Sequence, residues 1–341
     1  MTYLLALAAA LVPAITLIQV SNSQIAKAKA YWLLGLLTVG IVVLAQSELW
    51  LALMGLAFLC KWRSPESLGT LIQWVAIGCT WFLLLQVPRG LFDYVVVGWV
   101  GVAVWQSVLV FIRWRRFRVR VGGTFGSHAL TGLYLAAVFP FVPVWLWPAL
   151  AIGVIVTSSI LGALAMSVAS VWLWPSTWPV FTAGAVVAGV LWGFSPEIRG
   201  RRVFEWVLRG DTADSIYARW YAWRVALHEL RQSRRHWALG FGPNSVTKSL
   251  RTWGTRLGVE LPHEVTCEAV HHVYEYGAVG AFAILAFLWR VVPHLTLGDP
   301  FSAAWLALAV MSCGHWVIRH PTLGVLFLMI SARVVMNGGL Q

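Results

Sequence analysis

Charge is scarce in this chain. Only 11% of its 341 residues are charged and acids number just 13, whereas soluble proteins carry about 25% charged residues. Such a composition excludes an ordinary soluble domain and points to a polytopic membrane protein. Cysteine is scarce too. Cys60, Cys79, Cys267 and Cys313 are scattered, with no C-x-x-C spacing. A disulfide framework and a thiolate metal site both need closer grouping, and three of the four lie in apolar segments, where they read as small core residues. No basic residue precedes the first apolar run, Tyr3 to Val20, and no clear cleavage site follows it, so it reads as a retained helix and not a signal peptide. There is no phosphate-loop lysine, no G-x-G-x-x-G, no internal repeat and no low-complexity tail. The first four apolar runs carry almost no charge, which speaks against a transporter built on ionisable groups in mid-membrane.

What is abundant is apolar surface. The chain is 59% hydrophobic, its mean hydropathy is +0.75, and it holds 22 Trp, many near the ends of apolar runs, as an interfacial belt requires. Apolar spans fall at about 3–20, 31–46, 49–61, 68–87, 92–112, 129–147, 149–158, 159–172, 178–195, 275–292, 301–318 and 321–336. Several are shorter than the ~20 residues a full crossing needs. The stretch 149–172 reads either as one long helix or as two short ones broken at Thr157–Ser159, giving eleven or twelve spans. The expected fold is all-α: a polytopic transmembrane bundle with one large helical loop outside the bilayer. Its parts are N-terminal helices over 1–112, a basic loop at 113–128, central helices over 129–195, the large loop at 196–270 and C-terminal helices over 271–341.

The net charge of +12 is nearly all arginine and sits in two places. One is RWRRFRVR, Arg113 to Arg120. The other runs from Arg199 to Arg256, with eleven Arg and one Lys against four acids. The planar guanidinium suits bidentate phosphate binding. The first basic run leads into Gly-Gly-Thr-Phe-Gly-Ser-His before a span, where Ser127 is a candidate N-cap and arginines beside a helix N-terminus make an anion site; a plain basic membrane flank has the same pattern. In the second, DSIYARWYAWRVALHELRQ places Arg219 and Trp223 on one helical face, with Arg224 beside them. It ends in a basic patch, Arg231, Arg234, Arg235 and His236. Gly240-Phe-Gly-Pro-Asn follows, a turn that reads as a phosphate cradle or as a helix C-cap and chain reversal. Last, LPHEVTCEAVHHVYEYG brings polar groups to the mouth of a span. Glu268/His272 and His271/Glu275 are i,i+4 pairs. A histidine there is a candidate general base. A metal site would need a third ligand, and none stands at a metal-like spacing.

The order of these pieces resembles the O-antigen ligase and polymerase superfamily, over about Arg113 to Arg290. Arg219-Trp-Tyr-Ala-Trp-Arg-Val-Ala-Leu227 is similar to that family's loop helix, Gly240 to Asn244 to its glycine turn, and Glu275-Tyr-Gly-Ala-Val-Gly280 to its post-histidine helix. The resemblance implies a bacterial inner-membrane glycosyltransferase of the C-type architecture. Such an enzyme takes a glycan from undecaprenyl diphosphate and passes it to lipid A core, a growing polysaccharide or a protein hydroxyl. It uses no metal or other cofactor and no nucleic acid, and works among membrane lipids. It also implies that the large loop faces the periplasm, as a twelve-span count from an inside N-terminus gives, whereas the positive-inside rule would put both arginine-rich loops in the cytoplasm. The roles it implies are Arg219 on the diphosphate, Arg116, Arg118, Arg120, Arg224 and Arg235 in further phosphate contacts, and Gly240 and Gly242 in the turn. His263 is the general base with His271 second, and Glu275 orients a histidine or caps the helix. His263 stands twelve residues before Glu275, about one helical turn more than the family's spacing. Two other classes fit the composition: a non-catalytic transporter or carrier of lipid-linked glycans, and a structural membrane subunit.

Overall fold

A computed structural model describes residues 77–78, 80–81, 84–117, 123–125, 128–157, 159–177, 216–242, 245–257, 267–315, 317–318 and 320–338. The expected spans at 3–20, 31–46, 49–61 and 178–195, and most of 68–87, lie outside the described residues. Every regular element among them is helical. The chain divides into two compact units. The first groups Met1–Glu48, Leu71–Leu173 and Ala286–Gln341, the second Leu49–Thr70 and Trp174–Leu285.

In the first unit, α1 spans Arg89–Phe117. It begins behind Pro88, which cannot continue a preceding helix, and closes with Arg115 and Arg116 in its last turn, where cations suit the carbonyl end of the macrodipole. The helix therefore reaches past the boundary at 112 expected from hydropathy and takes in the start of the basic run. Phe92, Val95, Trp99, Val102, Gln106 and Val110 are buried, a stripe at helical spacing. The opposite face carries Tyr94 at 77% and Val97 at 70% exposure.

α2, His128–Val138, is the centre of this unit, and Leu133 through Val138 are wholly enclosed. The apolar run expected as one span over 129–147 is not one α-helix. Pro140 and Pro143 interrupt it, because the residue before a proline is driven from the α region. The chain continues as single 3-10 turns at Phe139–Phe141 and Val144–Leu146. The 149–172 stretch is two helices, α3 at Trp147–Thr157 and α4 at Ile160–Leu173. Ser159 Oγ accepts from the Gly162 amide at 3.1 Å and caps α4, while Thr157 bonds back to the Val154 carbonyl at 2.7 Å. Gly132 of α2 lies against Ser159, and Gly162 lies against the Gly132 carbonyl, so small residues let α2 and α4 approach closely.

The rest of this unit comes from the C-terminal part of the chain. Beyond Gly298, α9 covers Pro300–Ser312, capped by Asp299, which accepts from the Ser302 amide at 2.7 Å. It ends six residues short of the expected 318, and α10 follows at Pro321–Gly338. Trp305 Nε1 donates to Ser331 Oγ at 3.0 Å between them. The Arg333 guanidinium lies 5.6 and 5.4 Å from the ring centres of Phe92 and Phe301. Cys313, expected in a core, is exposed.

The second unit contains α5 (Ile216–Arg231), α6 (Arg234–Leu239), α7 (Ser245–Leu257) and the start of α8 (Glu268–Val291). The division between units falls inside α8, after Leu285. Ala222, Val225, Ala226 and Leu230 of α5 meet Val246 and Leu250 of α7, Cys267 and Tyr274 in a hydrophobic core of its own. Among the described residues two helices are long and apolar enough to cross a membrane, Gly90–Arg116 and Glu268–His294, each 27 residues; the first is about 40 Å long against a ~30 Å hydrocarbon layer, and the second is interrupted at Gly277. Five further apolar helices are shorter: Ala129–Phe141, Val144–Thr157, Leu161–Leu173, Pro300–Ser312 and Leu323–Gly338.

Candidate functional site

The second unit brings together two of the stretches singled out in sequence, Gly240-Phe-Gly and Glu275-Tyr-Gly. α8 is not continuous at its head. Gly277 has φ 61° and ψ −147°, conformations that only glycine adopts cheaply. Leaving the helix there frees the carbonyls of Tyr274 and Glu275 from their i+4 partners. The turn supplies replacements: the Phe241 amide donates to Tyr274 O at 3.0 Å and the Gly242 amide to Glu275 O at 2.8 Å.

Gly240, at φ 69° and ψ −172°, caps α6, and its amide donates to His236 O at 2.7 Å. Gly242 has φ 99°. A Cβ on Gly240 would stand 2.2 Å from the Glu275 carbonyl oxygen, and one on Gly277 would stand 2.5 Å from the Gly240 nitrogen. Two glycine backbones thus cross at contact distance. The amides of Gly240, Phe241 and Gly242 all bond carbonyls of the protein itself, so the turn acts as a helix cap and a backbone clasp. Phe241 is stacked between His236, at 4.1 Å between ring centres, and Tyr274, at 4.7 Å.

Tyr274 leads to a carboxylate that the sequence reading passed over. Glu229 on α5 accepts from the Tyr274 hydroxyl at 2.5 Å, from Trp253 Nε1 at 2.6 Å and from the Ser249 hydroxyl. One side chain therefore ties α5 to both α7 and α8. It was findable: Glu229 is four residues after Val225 and three after Ala226, so it occupies the apolar register of the helix, whereas Arg224 and Arg231 are exposed.

Beside this knot, the first turns of α8 hold both histidine–carboxylate pairs foreseen from the i,i+4 spacing. His271 Nε2 is 3.0 Å from Glu275 Oε1, and His272 Nε2 is 3.1 Å from Glu268 Oε1. All four are at least nine-tenths buried. Neither ring nitrogen of His271 makes a hydrogen bond of good geometry among the described residues, so its Nε2 meets Glu275 as a close contact only. Native structures rarely leave a buried polar atom so, and those that do invite a functional explanation.

The remaining predicted residues are placed as follows. Arg224 on α5 and Arg235 on α6 are exposed, as is Arg116 at the end of α1 in the first unit. Arg219 lies within α5, but its side chain is outside the described residues, as are His263, Arg118, Arg120 and the proposed cap Ser127. So His271, Glu275, Gly240 and Gly242 form one local cluster. Among the described residues no group of three His, Cys, Asp or Glu side chains is placed to hold a metal ion. Compared with known proteins, no family model matches the chain, and no curated protein matches it.

Proposed function

We propose that this chain is an integral-membrane glycosyltransferase that moves a glycan from a polyprenyl diphosphate such as undecaprenyl diphosphate to an acceptor hydroxyl, without a metal, at the periplasmic face of the bacterial inner membrane. The observation that carries the reading is His271: buried, with Nε2 3.0 Å from Glu275 and neither ring nitrogen in a hydrogen bond among the described residues, at the head of α8, a candidate membrane span by length and composition. Supporting it are the ordered resemblance from Arg113 to Arg290, the apolar helices with large apolar side chains on their outer faces, and arginines close by in sequence.

In the proposed step the acceptor oxygen attacks the anomeric carbon as its proton passes to a histidine. His271 takes this role on geometry, and His263 is the other candidate. The bond from the anomeric carbon to the diphosphate oxygen breaks, and the departing diphosphate keeps the electron pair. Arg219, with Arg224 and Arg235, neutralises the charge that develops there. Lipid-facing spans hold the polyprenyl tail.

A reconstituted transfer assay with a polyprenyl-diphosphate-linked oligosaccharide tests this, combined with impermeant-maleimide labelling of single cysteines at Ser245 and Ser127 in intact cells. Arg219→Ala and His271→Ala should each abolish transfer with the protein still in the membrane, and both cysteines should label from outside. Retained transfer in Arg219→Ala removes the mechanism; cysteines that label only after the cells are opened remove the donor's location.

One observation favours a second reading. Both histidine–glutamate pairs are almost wholly enclosed, as internal ties of a non-catalytic glycan carrier or structural membrane subunit would be. On that reading His271→Ala lowers stability and leaves cellular function intact.

A further inference from the structure

The described residues of the second unit sort their charges by sign. The three acids among them all turn inward: Glu229 to Tyr274, Trp253 and Ser249, Glu268 to His272 and Glu275 to His271. Every lysine and arginine whose side chain is described there is exposed, and no exposed acid accompanies them among the described residues. Packing fixes where the cations stand. Arg231 closes α5 and Arg234 opens α6, with Trp237 three residues on and 53% exposed. Along α7, Val246, Leu250 and Trp253 face the core, which turns Lys248, Arg251 and Arg256 outward. With these three acids facing inward, the exposed charges among the described residues of this unit are all cationic.

We infer that this surface docks on the anionic phospholipid headgroups of the bilayer. Basic side chains with a tryptophan beside them suit an anionic lipid surface, since cations are attracted to the headgroups and indole prefers the interface. A lipid surface is also the polyanion within reach. α8 begins in this unit, and Glu268–His294 is long and apolar enough to cross a membrane, so the unit is joined through its own chain to the bilayer that α8 crosses. An acidic polysaccharide offers similar charge but has no such tie. The inference rests on α8 crossing a bilayer and not on glycan transfer.

The full-length protein in nanodiscs tests it. Backbone hydrogen exchange of α6 and α7 is compared between discs of phosphatidylcholine alone and discs with about a third phosphatidylglycerol. Exchange should slow by about tenfold or more in the anionic discs, since each basic side chain near such a surface adds roughly fivefold to the attraction, and high salt should reverse the effect. Replacing Arg231, Arg234, Lys248 and Arg251 together by Gln should remove the lipid dependence. Replacing the three arginines by Lys should keep it, which separates charge from fold. Equal exchange in the two kinds of disc overturns the inference. So does protection in neutral discs by an added acidic polysaccharide, or by a trace of polyprenyl diphosphate, with no response to phosphatidylglycerol. Failure of transfer in the same preparation would count against the enzyme reading alone and leave the lipid response to stand or fall by itself.

Discussion

The glycine crossing gives the sharpest test of the second unit. In Gly277→Ala the new Cβ would lie 2.5 Å from the Gly240 nitrogen and 2.6 Å from the Ala238 carbonyl oxygen. These are backbone atoms, so no side chain can swing away. Holding a non-glycine residue at φ 61° and ψ −147° costs about 1–3 kcal/mol. Separating the two segments to relieve the overlap also loses the Phe241–Tyr274 and Gly242–Glu275 backbone bonds, about 1 kcal/mol each. The sum is about 3–5 kcal/mol, or at least a hundredfold in a local opening equilibrium at about 1.4 kcal/mol per decade. Cys267, buried in the same core and one residue before α8, reports the opening. With Cys60, Cys79 and Cys313 replaced by Ser, maleimide labelling of Cys267 should accelerate by at least that factor in Gly277→Ala. Gly240→Ala should match it. The double variant should cost little more than either single one, because both break the same crossing. A labelling rate in Gly277→Ala within a few-fold of the parent would refute the clasp.

Glu229→Ala should speed Cys267 labelling as well. It strands the Tyr274, Trp253 and Ser249 donors around a lost charged acceptor, at about 2–4 kcal/mol, and Glu229→Gln should cost less because the amide oxygen still accepts. In the first unit, Gly132→Ala should lower the apparent melting temperature of the purified protein, since its Cβ would stand 2.4 Å from that of Ser159. Gly101→Ala, with nothing within 4 Å and a mid-helix position, should be neutral or raise it, by about 0.5–1 kcal/mol of helix propensity. Equal behaviour of the two glycines would contradict the packing of α2 against α4.

The helical class and the apolar segments that lie among the described residues were legible because hydropathy and periodicity are local. α1 and the head of α8 ran longer than their hydropathy, since Arg113–Arg116 and Glu268–His272 are polar by composition yet helical, held by the macrodipole in one case and by i,i+4 pairing in the other. The run 129–147 was over-read because apolar character masked Pro140 and Pro143, whose effect is on the backbone and not on hydropathy. The two histidine pairs were readable because i,i+4 spacing is itself geometry. The partners of Glu229 were not, since Ser249 and Tyr274 come from 20 and 45 residues away, although its place in an apolar register marked it as turned inward.

The same crossing bears on how the motifs weigh as signs of function. Gly240-Phe-Gly and Glu275-Tyr-Gly stand in matching order with the family they resemble, and each has a backbone reason to persist that involves no substrate. Gly277 breaks α8, the break frees two carbonyls, the turn's amides take them up, and the approach this requires excludes a side chain at either glycine. A sequence that kept only the clasp would keep both motifs. The chemistry must therefore be tested at residues the clasp does not need. Gly240 and Gly242 are disqualified by the bonds they make, and Glu275 contributes its carbonyl to the clasp whatever its side chain does. Arg219 and His271 remain: neither appears in the backbone crossing. Loss of transfer in Gly277→Ala would be uninformative about mechanism because the fold changes with it, whereas loss in His271→Ala with Cys267 still protected would separate chemistry from architecture.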